Sequence, residues 1–386
     1  MEYISAKEAA MQWGITVRWV QQCCKNGQIP GATRMGRAWL IPKNAQKPNT
    51  SKGQASLYTP MPLTNGSFVV GECAAFIEAI PQEDERNLAW AEYFRFSGQA
   101  EQAVTYAEIY LDHQDPALRL SASLIYGFSS LTLGHIHAAH FAMTSIREIL
   151  QEQKERNCSQ ENQAMCVFAL VMGRVLLHLP PAEISLNDFL PYLPRGIQFY
   201  ACYIVAHYYY LQGDYTRSLG VAETALALQA GRYPIPSIYL HLIASMDLMS
   251  RKQIEEAKIH FMKAWAIAQP DDLIQPFAEH HGLLHGLVEV CLKNEYPEVY
   301  ARIAESASRF SSGWRRVHNP ETHEEVTDDL TTTEFTIAML ANRGWTNKEI
   351  AAHMGFSANT IKSYISVIYQ KLSISNRNQL KKYMLR

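Results

Sequence analysis

The sequence predicts a mainly α-helical chain with a small head at each end and a repetitive helical middle. Residues able to cap helices stand directly before apolar stripes of helical period near both termini. Between them, a short turn followed by an amphipathic stretch recurs at about 34 to 40 residues, the spacing of stacked helical pairs. Charge follows the same partition. Residues 1–52 hold eight Lys/Arg against Glu2 and Glu8, and residues 331–386 hold eight against Glu334 and Glu349, so each end carries +6 and the rest −14.

The 386 residues, 47% of them hydrophobic, suffice for two or three domains and exclude wholesale disorder. The N-terminal MEYISAKEAAMQWG lacks the basic stretch and apolar core of a secretory signal. The most apolar run, AMCVFALVMGRVLLHL, is broken by Arg174 and His178 and falls short of the roughly 20 residues a membrane span needs. A cytoplasmic, non-membrane protein is expected. Seven cysteines form no C-x-x-C pair and are odd in number, which fits reduced thiols. The net charge of −2 does not argue against nucleic acid, because local field near phosphates decides that interaction.

At the N-terminus, Ser5 with Glu8 makes a capping box for a helix through Trp13, and Gly14 breaks it. Thr16 caps a second helix in which Val17, Val20 and Cys24 form a stripe with Cys23 beside it. Arg18, Gln21, Gln22 and Lys25 are left outward. QIPGATRMGRAWLIP then reads as a two-stranded wing with Gly36 at its tip and Arg34 and Arg37 alongside. Adjacent cysteines make a poor tetrahedral chelate, so Cys23 and Cys24 read as core. Through SAKEAA, WGIT, Val20, GQIPGA and GRAWLIP, residues 1–48 resemble the excisionase and MerR-like winged helix-turn-helix. The resemblance implies DNA contacts from Thr16, Arg18, Gln21 and Gln22 in the major groove, with Arg34 and Arg37 on phosphates or in the minor groove. A folded appendage that no longer binds DNA is the alternative.

Residues 49–70, rich in Pro, Ser, Thr, Asn and Gly, read as a linker, and residues 71–312 as a helical repeat. The stretches from Phe96, Leu133, Leu211 and Ser250 share a turn and then a GxxxxA-like spacing. Gly98 and Gly134 are 36 apart, Gly134 and Gly213 are 79 apart with Gly173 a candidate between them, and Lys252 follows Gly213 by 39. This grammar resembles tetratricopeptide-like helical pairs, which implies an α-solenoid whose concave face takes a peptide, a partner protein or a small-molecule effector. His135, His137 and His140, and His280, His281 and His285, read as surface or packing histidines, with no metal site expected. The aromatic run Phe199 to Tyr215 reads as core, and as the first place to look for a pocket.

After an acidic linker at 313–329, residues 330–386 read as four short helices. Thr331 with Glu334 and Thr346 with Glu349 form capping boxes, and Ser357 caps a third helix after the turn at Gly355. In that helix Ile361, Ile365, Ile368 and Leu372 make one stripe, while Asn359, Ser363, Ser366 and Gln370 face away with Lys362 on the shoulder. So small and polar a face fits a major groove. The segment closely resembles the LuxR-type helix-turn-helix through Leu330, Thr331, Glu334, Gly344, TNKEIA (Thr346–Ala351), Ser357, TIK (Thr360–Lys362), Ile365, Ile368, Tyr369, Lys371, Leu372 and SNR (Ser375–Arg377). That implies double-stranded DNA as partner, a reading helix from Asn359, and dimerisation through Asn376–Met384. The expected contact residues are Thr346, Asn347, Lys348, Asn359, Thr360, Lys362, Ser363, Ser366, Tyr369, Lys371 and Arg377. Two residues depart from the family pattern: Tyr364 stands where His is usual, and Ser373 where Gly often closes the helix.

No G-x-x-x-x-G-K-[ST] phosphate loop, alternating receiver pattern or catalytic constellation is present, so neither an enzyme nor a bound cofactor is expected. The sequence therefore points to a one-component, sequence-specific DNA-binding transcriptional regulator, with a helical-repeat domain that senses or oligomerises. The alternatives are a solenoid adaptor that binds proteins and an excisionase-like recombination accessory protein.

Overall fold

The computed structural model describes residues 3–13, 17–25, 29–36, 38–45, 58–155, 159–176, 186–318 and 330–383. They divide into two compact units, Met1–Gln54 and Ala55–Arg386.

The first unit holds β1 (Tyr3–Ser5), α1 (Ala6–Trp13), α2 (Val17–Lys25), β2 (Thr33–Met35) and β3 (Ala38–Pro42). Ser5 N donates to Glu8 Oε2 at 2.7 Å and Glu8 N to Ser5 Oγ at 3.2 Å, which is the predicted capping box. The predicted hairpin forms, with Gly36 at φ +63°, and gains a strand that the sequence did not show: β1 pairs antiparallel with β3, giving the order β1-β3-β2. Ala6, Ala9, Ala10, Val20, Cys23, Cys24, Ile29 and Ile41 fill the core. Burial raises both thiols, as expected of core cysteines.

The second unit is helical: α3 (Cys73–Glu78), α4 (Glu83–Phe96), α5 (Ala100–Glu108), α6 (Pro116–Thr132), α7 (Ile136–Glu155), α8 (Gln160–Leu176), α9 (Arg195–Leu211), α10 (Tyr215–Gln229), α11 (Pro234–Ser250), α12 (Ile254–Ala268), α13 (Gln275–Glu279), α14 (Leu287–Leu292), α15 (Pro297–His318), α16 (Thr332–Asn342), α17 (Asn347–Met354) and α18 (Ala358–Lys371). From α4 to α12 each helix packs on the next, and α15 folds back against α6 and α13.

Four of the helix reversals are the same turn. Gly98, Gly134, Gly213 and Lys252 all sit at positive φ. In each, the residue's own N–H reaches back to a carbonyl three positions earlier. The following N–H reaches one five positions earlier, as Gln99 N does to Phe94 O at 2.8 Å and Gln253 N to Leu248 O at 2.9 Å. The next helix begins two residues after the turn, and the fifth residue along (Ala103, Ala139, Ser218, Ala257) is buried where neighbouring helices meet. A side chain at positive φ crowds its own backbone, which is why three of the four are glycine. Gly173 is not a member. It lies inside α8, where a Cβ would come 3.3 Å from Met143 Cε, so closeness of approach and not a turn requires it.

Part of the segment that reads as linker is buried. Leu63 and Thr64 are fully enclosed, with both their amides and the Thr64 hydroxyl donating to the Glu92 carboxylate at 2.5 to 3.2 Å. Asn65 Oδ1 accepts from Gly196 N at 2.8 Å and so serves a free amide at the start of α9. A Cβ at Gly196 would come 2.6 Å from the Asn65 backbone.

The aromatic run packs as core. Tyr200, Tyr203 and Tyr239 meet with ring centroids 4.9 to 5.4 Å apart, and the Tyr203 hydroxyl bonds His280 Nε2 at 2.8 Å. His280, His281 and His285 are buried there and nearby, while His135, His137 and His140 are exposed. The larger of two described concavities lies elsewhere, an open groove of about 320 Å³ lined by Leu219, Glu223, Arg251, Glu256 and His260. Among the described residues, no helix is long and apolar enough to cross a membrane.

Asp247 on α11 is fully enclosed. Burial pushes its pKa up to about 8 against the opposing pull of Ser218 and Arg251. An acid held neutral in the folded state but free to ionise when unfolded costs stability as pH rises from the unfolded value of about 4 to the folded one. Asp247→Asn should therefore be more stable than the native chain at pH 8, by about 1 kcal/mol or more. Thermal melts across pH 5 to 8 check this: the gain should shrink as pH falls, and a pH-independent difference would refute the assignment.

Candidate nucleic-acid interface

Three caps build the C-terminal head. Thr331 and Thr346 each accept from the backbone N–H three residues on, and Glu334 and Glu349 reach back to their amides at 2.7 and 2.6 Å. Ser357 Oγ accepts from Thr360 N at 3.0 Å. Between α17 and α18 the chain turns on Gly355 at φ +71°, and only three residues separate the two helices. That spacing fixes the angle at which α18 stands off the rest of the head.

Helix α18 buries Ile361, Ile365 and Ile368, and Leu372 closes the stripe just beyond its end, as predicted. Its opposite side is exposed at Asn359, Lys362, Ser363, Ser366 and Gln370. Two serine hydroxyls turn inward, Ser363 Oγ to Asn359 O and Ser366 Oγ to Lys362 O, both at 3.1 Å, which leaves the face low. Thr360 is half-buried with its hydroxyl on Ser357 Oγ at 2.8 Å. Tyr369 is half-buried, and burial raises its hydroxyl pKa. At the edge, Thr346 and Lys348 are exposed and Asn347 is half-buried.

Two of the expected phosphate contacts are occupied within the head. Lys371 Nζ donates to Glu334 Oε2 at 2.8 Å, tying the end of α18 to the start of α16. Burial raises the Glu334 pKa, but this ammonium and the Thr331 bonds outweigh it and hold the carboxyl below its usual range. Arg377 donates from Nε to Ala341 O at 3.1 Å and from its terminal nitrogen to Trp345 O, so it caps the carbonyl end of α16. Among the described residues, Asn359, Lys362 and Gln370 stand exposed on the face, with Lys348 beside it. Tyr364, in the usual histidine position, is half-buried against Phe356, ring centroids 5.9 Å apart.

In the first unit, Gln21 and Lys25 are exposed on α2 and Arg34 is exposed on β2. Arg18 and Gln22 belong to α2, but their side chains, like Thr16 and Arg37 altogether, lie outside the described residues.

Sequence reasoning missed the residues by which the head contacts the helical body. Arg343 Nη1 donates to Ser250 Oγ at 3.0 Å, Glu349 Oε1 accepts from Lys252 Nζ at 2.7 Å, and His353 Nε2 meets His285 O at 2.8 Å. The one signal in the sequence was Lys252, standing in a turn position otherwise held by glycine.

Residues 328–384 match the luxR family of bacterial regulatory proteins. A probable transcriptional regulatory protein, SgaR, of Hyphomicrobium methylovorum is 33% identical over 85 residues, 22% of this chain and 40% of that protein. The HTH-type transcriptional regulator MalT of Vibrio campbellii is 26% identical over 156 residues, 36% of this chain and 17% of MalT. The match therefore spans less than half the length of either relative. No solved structure matches the chain.

Ser373 sits at φ +52° in a turn with the same back-bonding pattern, Ile374 N to Tyr369 O at 2.9 Å. A β-carbon there costs about 1 kcal/mol, partly offset by the freedom a glycine has when unfolded. Ser373→Gly should raise stability by about 0.5 kcal/mol in a denaturant titration. A loss of stability would show that the serine side chain makes up for the strain.

Proposed function

We propose that this chain is a sequence-specific DNA-binding transcriptional regulator that reads double-stranded DNA with α18. The observation that carries the reading is the outer face of α18: low, polar and exposed, with Asn359 and Lys362 unobstructed, in a segment that matches the luxR family. Lys362 and Asn359 read base edges. Lys348 and the N-terminal amides of α17 take phosphates, with Thr346, Asn347, Thr360, Ser363, Ser366 and Tyr369 along the rim. Lys371 and Arg377 hold the head in shape and stand second in line for phosphate.

The chain acts as a homodimer on two half-sites, in the cytoplasm and without a cofactor. The first unit is a winged helix-turn-helix making a second DNA contact. Its support is the two-helix arrangement of α1 and α2 followed by the β2–β3 hairpin, with Gln21 and Arg34 exposed. The body is a tetratricopeptide-like solenoid, supported by the four identical left-handed turns, and it senses or oligomerises. The open groove beside Arg251 and His260 is the place for an effector.

The test is binding to a duplex selected by the full chain from a random-sequence pool, measured against salt. Log K should fall with log salt by about 0.9 per phosphate contact, and the selected sequence should bind at least about a thousandfold tighter than random duplex. Binding without sequence preference would favour an adaptor. Lys362→Ala should cost about 1–3 kcal/mol on the selected site and far less on random duplex; an equal loss on both would remove Lys362 from the base-reading role.

A further inference from the structure

Among the described residues, the head meets the body through α16, α17 and the turn between them. At one edge the body's Lys252 pairs with Glu349 at 2.7 Å, and its ammonium lies 5.9 Å from the Trp345 ring centroid. Arg343 bonds Ser250 and lies over the Tyr210 ring at 5.5 Å. Deeper in, His353 is held by the His285 carbonyl, and Thr336 Oγ1 donates at 3.2 Å to Glu289, itself 2.9 Å from His281. The fit is close: a Cβ at Gly282 would come 2.7 Å from Phe335 Cε1, and one at Gly286 3.1 Å from Thr336 Cγ2. Asn359, Lys362, Ser363 and Ser366, by contrast, are all exposed.

Lys252 is the informative residue. The turn it occupies needs a left-handed residue, and glycine serves at Gly98, Gly134 and Gly213. Lysine at φ +60° is strained, so a Gly here would suit the turn better. The lysine side chain has another use, because its turn meets the head. There it bonds the same Glu349 carboxylate that completes the α17 capping box through its other oxygen. Body turn and helix start are thereby locked to a single side chain.

We propose that Lys252, with Arg343, is a positioning contact for DNA reading: the body grips the head through α16, α17 and the turn between them while the outer face of α18 stays exposed, so that body and head engage the operator as one piece. The inference rests on α18 being the reading helix. It assigns the body a direct part in recognition, which is to fix where the reading face points in a two-headed complex.

The experiment uses the full chain and the duplex it selects from a random pool, with three variants. Lys252→Gly suits the turn, so thermal stability should hold or rise. Affinity should nonetheless fall two- to fivefold, and tenfold or more when combined with Arg343→Gln, while Lys252→Arg stays close to native. The salt slope should stay constant, since no phosphate contact is lost; a slope reduced by about one would make Lys252 a phosphate ligand and overturn the proposal. Unchanged affinity in the double variant would overturn it too, and raised affinity would mean that the contact restrains the head. Lys362→Ala separates the two levels: if it leaves affinity intact, the reading of α18 fails, whereas if it weakens binding and the Lys252 variants do not, only the positioning role fails.

Discussion

A helix that ends must satisfy its last carbonyls and reverse the chain within a few residues, and this protein meets that constraint repeatedly with one left-handed residue. Gly98, Gly134, Gly213 and Lys252 do it in the body, and Gly344 and Ser373 do it in the head, each with the same pair of back-reaching amides. The turn sets the next helix two residues on in the body, and from that offset follow the buried small residues at Ala103, Ala139, Ser218 and Ala257. Packing of successive helices, and so the continuous core from α3 to the head, depends on these reversals being tight.

The head applies a complementary rule at helix starts. Thr331, Thr346 and Ser357 satisfy free amides with side-chain oxygens, and the two glutamates return the bond. Caps of this kind fix where a helix begins to within a residue, which matters most for α18, because a shift of one position would rotate its polar face by about 100° toward the core. Leu372 and the isoleucine stripe hold that register from the inside. Lys371 and Arg377, expected on phosphates, are what brace the helix against α16.

Local signals were legible in the sequence and nonlocal ones were not. The capping boxes, the stripe Ile361–Ile365–Ile368–Leu372, the hairpin tip at Gly36 and the left-handed turns are each encoded within a few residues, so spacing alone reveals them. Strand β1 escaped because three residues make a strand only when β3 lies beside them. Residues 61–66 escaped because Pro, Asn and Gly report backbone freedom and say nothing of burial, and it is Glu92, far along the chain, that draws Leu63 and Thr64 inside. Gly173 misled because a glycine demanded by a close methionine looks, in sequence, like one demanded by a turn. On the outer face of α18 the exposed positions were recovered, while the pairing of Lys371 and Arg377 was invisible because their partners come from α16 and the turn after it.

Charge shows most clearly how far composition reaches. A body of net −14 and a head of +6 should attract, and if bulk attraction governed the docking, the head would offer its basic residues to the acidic body. The exposed ion pair at the junction has the reverse polarity: the lysine belongs to the body and the carboxylate to the head. Arg343 meets a hydroxyl and an aromatic ring, not a carboxylate, and Lys348 and Lys362 stay exposed. Such a pair, half in water, adds little energy on its own. What it does is select one docked orientation against the many that net attraction would permit, and in that orientation the basic face of α18 is not spent on the protein's own acid.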